Sequence, residues 1–284
     1  VVNIQENVLL SNYSTFGIGG DAEYLCVVST RDELIEALDW ATRQDLASAV
    51  IGSGSNILFS DAGFRGLVIV NRSRSFTINN TTVTADSGVN FGQLARKTME
   101  QGLIGLHFGA GIPGTIGGAV VGNAGALDFD ISKTLVSAEV FINGKVETWQ
   151  NADFGFDYRN SKIKNNPAVV ILSVVFKLKA GDTADILVQI HDDQVRRGKS
   201  YIGKTCGSYF KNPEGKSAGE LIDSLGLKGF RIGDAEISTL HANVIRNVGN
   251  ANATDVLDLE KYIQSKAWDK YKIRLTPEIV KIGF

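Results

Sequence analysis

Two glycine-rich segments are the parts of this chain able to do chemistry with backbone alone. The first is Val50-Ile51-Gly52-Ser53-Gly54-Ser55-Asn56; the second runs Gly109-Ala110-Gly111-Ile112-Pro113-Gly114-Thr115-Ile116-Gly117-Gly118 and continues to Asn123-Ala124-Gly125. Glycine lacks Cβ and tolerates positive φ, so successive amides can converge on an anion at close range. The chemistry this implies is the holding of a large, phosphate-bearing cofactor; the alternative is that the glycines serve only turns and close packing. Gly109 to Gly114 matches GxGxxG, but Thr115-Ile116-Gly117-Gly118 is a poor helix opening and no βαβ unit surrounds it, which argues against a Rossmann dinucleotide site. Neither segment ends in the GK[ST] of a P-loop.

The elements that must position these loops can be read from periodicity and caps. Thr30 and Glu33 have capping-box spacing ahead of Leu34, Ala37, Leu38 and Ala41, which form one face of a helix. Residues 49–51 read as a strand entering the first glycine loop, and 67–70 as another, ending at the polar stretch 71–75, a candidate domain boundary. Residues 76–79 and 82–85 flank Asn80-Thr81 as a hairpin. Asn90 and Gln93 cap a helix that stops near Gly102. Asn143-Gly144 marks a second hairpin within 134–149, and 169–179 is a β-branched strand. Residues 183–197 suit a helix bearing Ile186 and Ile190. Ser217 and Glu220 cap a helix with Leu221, Ile222 and Leu225, residues 241–247 read as a strand, and 254–270 as a helix packed through Val256, Leu257, Leu259, Ile263 and Ala267. The tail 273–284 is extended in character and suited to return to an earlier domain.

Composition narrows the class. At 284 residues the chain can bury one large core or several, and 43% hydrophobic with 21% charged residues describes an ordinary folded protein. A formal charge of −2 gives no global reason to expect nucleic acid. No apolar run approaches the roughly 20 residues that span a bilayer, and the start lacks a signal-peptide pattern, so the expectation is a cytoplasmic protein without membrane insertion. No coiled-coil heptad is evident, which favours a monomer. The two cysteines, Cys26 and Cys206, stand in unlike contexts, Cys26 within a buried-looking strand; with histidines at 107, 191 and 241 scattered, no disulfide scaffold or metal site is expected.

Further segments appear in an order that resembles the UDP-N-acetylenolpyruvoylglucosamine reductase family over nearly the full chain: Asn12-Tyr13-Ser14-Thr15-Phe16-Gly17-Ile18-Gly19-Gly20, the two glycine segments, Tyr158-Arg159-Asn160-Ser161, residues 207–213, His241-Ala242-Asn243 and Pro277-Glu278. The resemblance implies an α+β fold with a two-part FAD-binding region of the vanillyl-alcohol oxidase type and a C-terminal α/β substrate-binding domain. Its boundaries would be 1–72 joined by the tail 273–284, then 73–199, then 200–272. It implies FAD as cofactor, NADPH as reducing cosubstrate, and UDP-N-acetylglucosamine enolpyruvate as the substrate converted to UDP-N-acetylmuramate for peptidoglycan. The cofactor contacts it implies are Gly52, Ser53, Gly54, Ser55, Asn56, Gly111, Gly114, Thr115, Gly117, Gly118 and Asn123.

The same resemblance assigns the chemistry. Arg159 would contact the substrate carboxylate, Glu278 would polarise or protonate the enolate, and Ser208 would give a proton to C2 after hydride reaches C3. Tyr158, Lys211, Asn212 and His241 would bind substrate. The chain lacks the tyrosine-bearing lid of one subtype and so is similar to the shorter one. It departs from the family pattern at Ile163, at Val280 and in Leu127-Asp128-Phe129-Asp130. Two other readings stay open at this point: another oxidoreductase on the same FAD fold, and a nucleotide-sugar binding module without catalysis.

Overall fold

The computed structural model describes residues 2–126, 128–164, 166–182, 188 and 201–284. The helix expected over 183–197, and His191 within it, therefore lie outside the described residues apart from Val188. The chain divides into two compact units, one of Val1–Glu6, Tyr24–Ser53 and Gly66–Val195, the other of Asn7–Glu23, Gly54–Arg65 and Arg196–Phe284. Among the described residues, no helix is long and apolar enough to cross a membrane.

In the first unit, helix Arg31–Arg43 begins at Thr30, whose side chain accepts from the Glu33 amide. Glu33 reaches back one residue further than expected, accepting from the Ser29 amide at 2.6 Å. The buried face is the one read from spacing, Leu34, Ala37, Leu38 and Ala41, and it packs with Cys26, Leu67, Ile69, Phe141 and Leu172. Residues on both sides of position 72 thus share one hydrophobic cluster. Within the polar stretch 71–75, Arg72, Arg74 and Ser75 are exposed while Asn71 and Ser73 are buried, with Asn71 donating to Ser87 Oγ at 2.8 Å and Ser73 Oγ accepting from the Gly88 amide. Each buried polar atom named here has a partner, which is why burial is tolerable.

Strand Ser48–Ile51 pairs in parallel with Phe64–Asn71, from Ser48 opposite Leu67 to Ile51 opposite Val70. A five-stranded antiparallel sheet follows, in the order Lys145–Gln150, Leu135–Ile142, Val169–Lys177, Thr82–Asp86, Phe76–Asn79. Both expected hairpins form, and Asn143 and Gly144 each have the positive φ that a two-residue turn of this hand requires. In Val169–Lys177 the register passes from Ser173 opposite Glu139 to Ile171 opposite Val140, leaving Leu172 as the extra residue of a bulge. A bulge reverses side-chain phase. Ile171 and Val174 accordingly face the sheet's main core while Leu172 joins the cluster under helix Arg31–Arg43.

The second unit carries a four-stranded antiparallel sheet, Lys204–Ser208, Val244–Asn247, Ala235–Ile237, Arg231–Ile232. Helices Ala218–Ser224 and Ala253–Tyr271 pack on it through Leu221, Ile222, Val256, Leu259, Ile263 and Ala267. Asn252 caps the long helix, and Asp61 adds a second cap, accepting from the amides of Ala253 at 2.7 Å and Thr254 at 3.1 Å. The tail does return: Val280–Ile282 pairs in parallel with Ile57–Phe59. The strand expected from 241 begins only at Val244, because His241 Nδ1 accepts the Asn243 amide and bends the chain into a turn.

Candidate functional site

The first unit brings the two glycine segments together. A Cβ on Gly52 would sit 2.3 Å from Thr115 Oγ1, so the first loop lies directly on the second. Although Thr115 to Gly118 is a poor helix opening by sequence, Ile116–Val121 is helical, with Thr115 at its N-cap but making no side-chain cap bond. Tertiary contacts override the poor propensity: the Ile116 amide donates to Val89 O at 2.9 Å and the Gly117 amide to Ser87 O at 2.7 Å. What precedes this helix is the 3₁₀ turn His107–Gly111 rather than a strand, so GxGxxG here is not a Rossmann fingerprint.

The glycines divide by cause. Cβ atoms at Gly52, Gly109 and Gly117 would overlap Thr115, the Phe91 ring and Ser87, and Gly114 has φ +137°, so packing and conformation account for these four. Gly118 is different. It is exposed on a helix, and a Cβ there would find only Thr115 Oγ1, at 3.7 Å. Glycine in a helix costs about 1 kcal/mol against alanine, and nothing in the packing of the described residues requires that cost. Bare backbone facing open space beside Thr115 and Gly52 is what close approach of a bound group needs, and the donor set there fits a phosphate-bearing cofactor.

Asn123 lies just beyond, buried, with φ +42°. Its amide nitrogen donates to Asp157 O at 3.0 Å and its oxygen accepts from the Ser132 amide at 3.1 Å. That clamp, with Ser161 Oγ donating to Val121 O at 2.7 Å, ties residues 157–161 to the end of the glycine tract. Asp157 and Asn160 exchange both backbone bonds, leaving Tyr158 and Arg159 as the tip of a two-residue turn, and Arg159 takes φ +53°, uncommon for a residue with a Cβ. Arg159 Nη2 donates to Gly125 O at 2.6 Å, and its guanidinium lies over the half-exposed Tyr158 ring at 5.3 Å. Asp128 (φ +61°) turns the hairpin pairing Ala126 with Phe129; Leu127 lies outside the described residues. Ile163, the departure beyond this turn, is a core residue.

In the second unit the first loop continues as Gly54, Ser55 and Asn56. Gly54 has φ +65°, and a Cβ there would lie 2.0 Å from Tyr13 O. Its carbonyl accepts from the Thr15 amide at 3.1 Å, while Asn56 O accepts from the Val280 amide at 2.9 Å. The departure at Val280 thus falls where the backbone is already committed to pairing.

Ser208 is presented by a bulge. Thr205 stands opposite Arg246 and Ser208 opposite Val244, so Cys206 and Gly207 face a single residue; Gly207 has φ +82°, which favours glycine. Beyond it, residues 209–211 run alongside 276–278: the Glu278 amide donates to Tyr209 O at 2.8 Å and the Lys211 amide to Thr276 O at 2.9 Å. Ser208 and Glu278 are therefore carried on neighbouring segments. The nearby Cys206 thiol is pushed up to about 12 by burial, with a further push from the Glu278 charge, so it is an inert packing group. Cys26 is likewise pushed up to about 12 by burial.

Side-chain contacts brace this segment. Asn243 accepts from the Phe210 amide at 2.9 Å and donates to Phe210 O at 2.8 Å, acting as a short length of strand. Tyr209 donates to Glu260 at 2.6 Å; burial first, then the Glu260 charge, raise its phenol far above the usual range. Asn212 accepts from the Ala218 amide at 3.0 Å and so helps start helix Ala218–Ser224. His241 stacks on Tyr201 at 5.9 Å, and Tyr201 Oη lies 2.9 Å from Ser208 Oγ. Tyr201 was missed because it belongs to no recognisable pattern.

With this geometry in view, comparisons with known proteins place the chain. Residues 22–147 match the family model "FAD binding domain", and 198–282 match "UDP-N-acetylenolpyruvoylglucosamine reductase, C-terminal domain". Proteins of that reductase name are similar over the full length: 39% identity to the Prochlorococcus marinus (strain NATL2A) protein across 100% of this chain and 99% of the relative, and 41% to that of Lactobacillus delbrueckii subsp. bulgaricus (strain ATCC BAA-365) across 99% and 96%. The crystal structure of the reductase from Thermus caldophilus superposes with a TM-score of 0.84 at 34% identity, covering 99% of this chain and 100% of that one. An FAD-binding domain followed by this C-terminal domain, in chain order and at these identities, means that the protein belongs to the UDP-N-acetylenolpyruvoylglucosamine reductase family.

Proposed function

We propose that this protein reduces UDP-N-acetylglucosamine enolpyruvate to UDP-N-acetylmuramate, a step of peptidoglycan synthesis, with FAD bound and NADPH as the electron donor. The observation that carries the reading is the pairing of 209–211 with 276–278, which sets a hydroxyl, Ser208, beside the segment carrying a carboxylate, Glu278. FAD, when bound, would supply the hydride-transfer chemistry between NADPH and C3 of the enolpyruvyl group.

The protein's residues handle the charge and the proton. Electron density left on C2 and the adjoining carboxylate needs a cation in fixed geometry, and Arg159, braced on Gly125 O, offers the planar fork that matches a carboxylate. Ser208 gives its proton to C2, and Glu278 polarises the developing enolate. An alcohol is a weak acid, so this works only against a strongly basic carbanion with the atoms held at about 3 Å. Thr115, Gly118 and the loop Gly52 to Asn56 would hold the cofactor. Asn123 serves by shaping the tract, since its side chain holds Asp157 and Ser132. Tyr158, Lys211, Asn212 and His241 line the substrate's path. Domain limits of 1–72 with 273–284, 73–199 and 200–272 remain our assignment of the family's parts to this chain.

The test is anaerobic: mix the purified protein with NADPH, follow flavin absorbance, then add the enolpyruvyl sugar. Flavin bleaching followed by substrate-dependent recovery is expected. A colourless protein, or a reduced flavin indifferent to the substrate, would overturn the reading.

A further inference from the structure

We infer that Tyr201 is a positioning partner of Ser208 that also replaces the proton Ser208 gives away; the inference rests on the reading of Ser208 as proton donor. Three observations point to it. Tyr201 Oη lies at hydrogen-bond distance, 2.9 Å, from Ser208 Oγ, and either oxygen can donate. The Tyr201 ring is held by stacking on His241, with centroids 5.9 Å apart and planes at 25°. His241 is itself fixed through Nδ1 by the Asn243 amide, and Asn243 grips both polar groups of Phe210, two residues after Ser208. The phenol and the serine are thus braced by one connected set of groups, so their separation is set by the fold.

The chemistry gives the contact a purpose. When the Ser208 O–H bond breaks, its proton forms the new C–H bond at C2 and an alkoxide is left. An alkoxide in a partly buried site is costly unless a proton follows at once. A phenol is a far stronger acid than an aliphatic alcohol. As the Tyr201 O–H bond breaks, the Ser208 O–H bond re-forms, and the charge moves onto the phenolate, where the ring spreads it. Water returns the proton to the phenolate, so atoms and charge balance over the cycle. A serine acting with such a partner is a more competent acid than one acting alone, and the hydrogen bond also removes hydroxyl rotamers that point elsewhere.

The experiment uses the full-length holoenzyme with Tyr201→Phe, which keeps the ring and its stack on His241, alongside Ser208→Ala and the double variant. Expected for Tyr201→Phe is a fall in kcat of about 10- to 100-fold, as for one proton-transfer partner, with KM within about threefold. Flavin bleaching by NADPH should keep its wild-type rate. The double variant should be no slower than Ser208→Ala, because Tyr201 acts through Ser208. A second readout is independent of turnover: with ¹³Cζ-labelled tyrosine, the Tyr201 resonance, assigned by its loss in Tyr201→Phe, should move in Ser208→Ala. Wild-type turnover by Tyr201→Phe, or losses that multiply in the double variant, would overturn the inference. If the wild-type enzyme fails to turn over the enolpyruvyl sugar, the activity reading falls and the resonance alone decides. A Tyr201 signal unmoved in Ser208→Ala then overturns the pairing.

Discussion

The glycine tract of the first unit and the segment 201–211 of the second solve opposite problems. Around Gly109 to Gly118 nearly every side chain that would intrude has been deleted, and order comes from backbone contacts such as Gly117 N to Ser87 O. Around Ser208 order comes from side chains: Tyr201, Asn243, His241 and the Tyr209–Glu260–Lys281 chain of contacts. A site that must let a large group lie against backbone needs absence of Cβ. A site that must hold a weak acid in one rotamer needs hydrogen-bonded neighbours. The tract is therefore sensitive to added atoms, and the segment to removed ones.

That contrast can be broken by substitution. The largest effect should come from removing the proton donor: Ser208→Ala is expected to lower turnover by about 10²- to 10⁴-fold while leaving anaerobic flavin reduction by NADPH intact, as read by stopped-flow absorbance. Normal turnover would end the assignment. Next is Asn243→Ala, which strands the buried amide and carbonyl of Phe210; a loss of about 2 to 3 kcal/mol is expected by urea unfolding, with activity falling because Ser208 loses its brace.

In the tract the additions matter. Gly52→Ala forces a Cβ to 2.3 Å from Thr115 Oγ1 and should cost about 1 to 3 kcal/mol, part of it recovered by adding Thr115→Ala. Gly118→Ala should do the reverse to the fold, adding up to about 1 kcal/mol, yet lower the fraction of protein purified with flavin. Full flavin occupancy in a stabilised Gly118→Ala would mean that Gly118 faces no cofactor.

The smallest effect concerns His107, buried beside Phe129 at 4.4 Å and accepting the Gly105 amide through Nδ1. Burial lowers its pKa from the ordinary 6.5. Below that value the unfolded chain binds a proton that the native state refuses, so stability is whole above about pH 6.5 and declines as pH falls toward the lowered value. Unfolding of His107→Gln by urea at pH 5 to 7 should show a flatter profile than wild type; an equal slope would exclude the imidazole as its source.

Much of the fold was legible because it rests on local rules. The caps at Thr30, Asn90 and Ser217, the Asn143-Gly144 turn and the buried face of helix Arg31–Arg43 all follow from spacing within one or two turns. In three places a bond that spacing alone does not show shapes the chain. Thr115 to Gly118 opens a helix because Val89 and Ser87 carbonyls hold its first amides. Within the polar stretch 71–75, Asn71 and Ser73 are buried because Ser87 and Gly88 satisfy them. The strand expected from 241 starts late because His241 bonds its own chain.

By itself the order of residues determined which segments carry glycine, which helices are capped and where, and a likeness to one reductase family strong enough to name candidate residues. Only the tertiary structure decided that Gly52 rests on Thr115, that packing explains Gly117 but not Gly118, that Gly207 bulges to present Ser208, and that Tyr201 stands against it. The reason is physical. Caps and turns are made by neighbours in sequence and leave their pattern there, whereas a contact between remote residues depends on how every intervening element packs, and no short stretch of the chain encodes that sum.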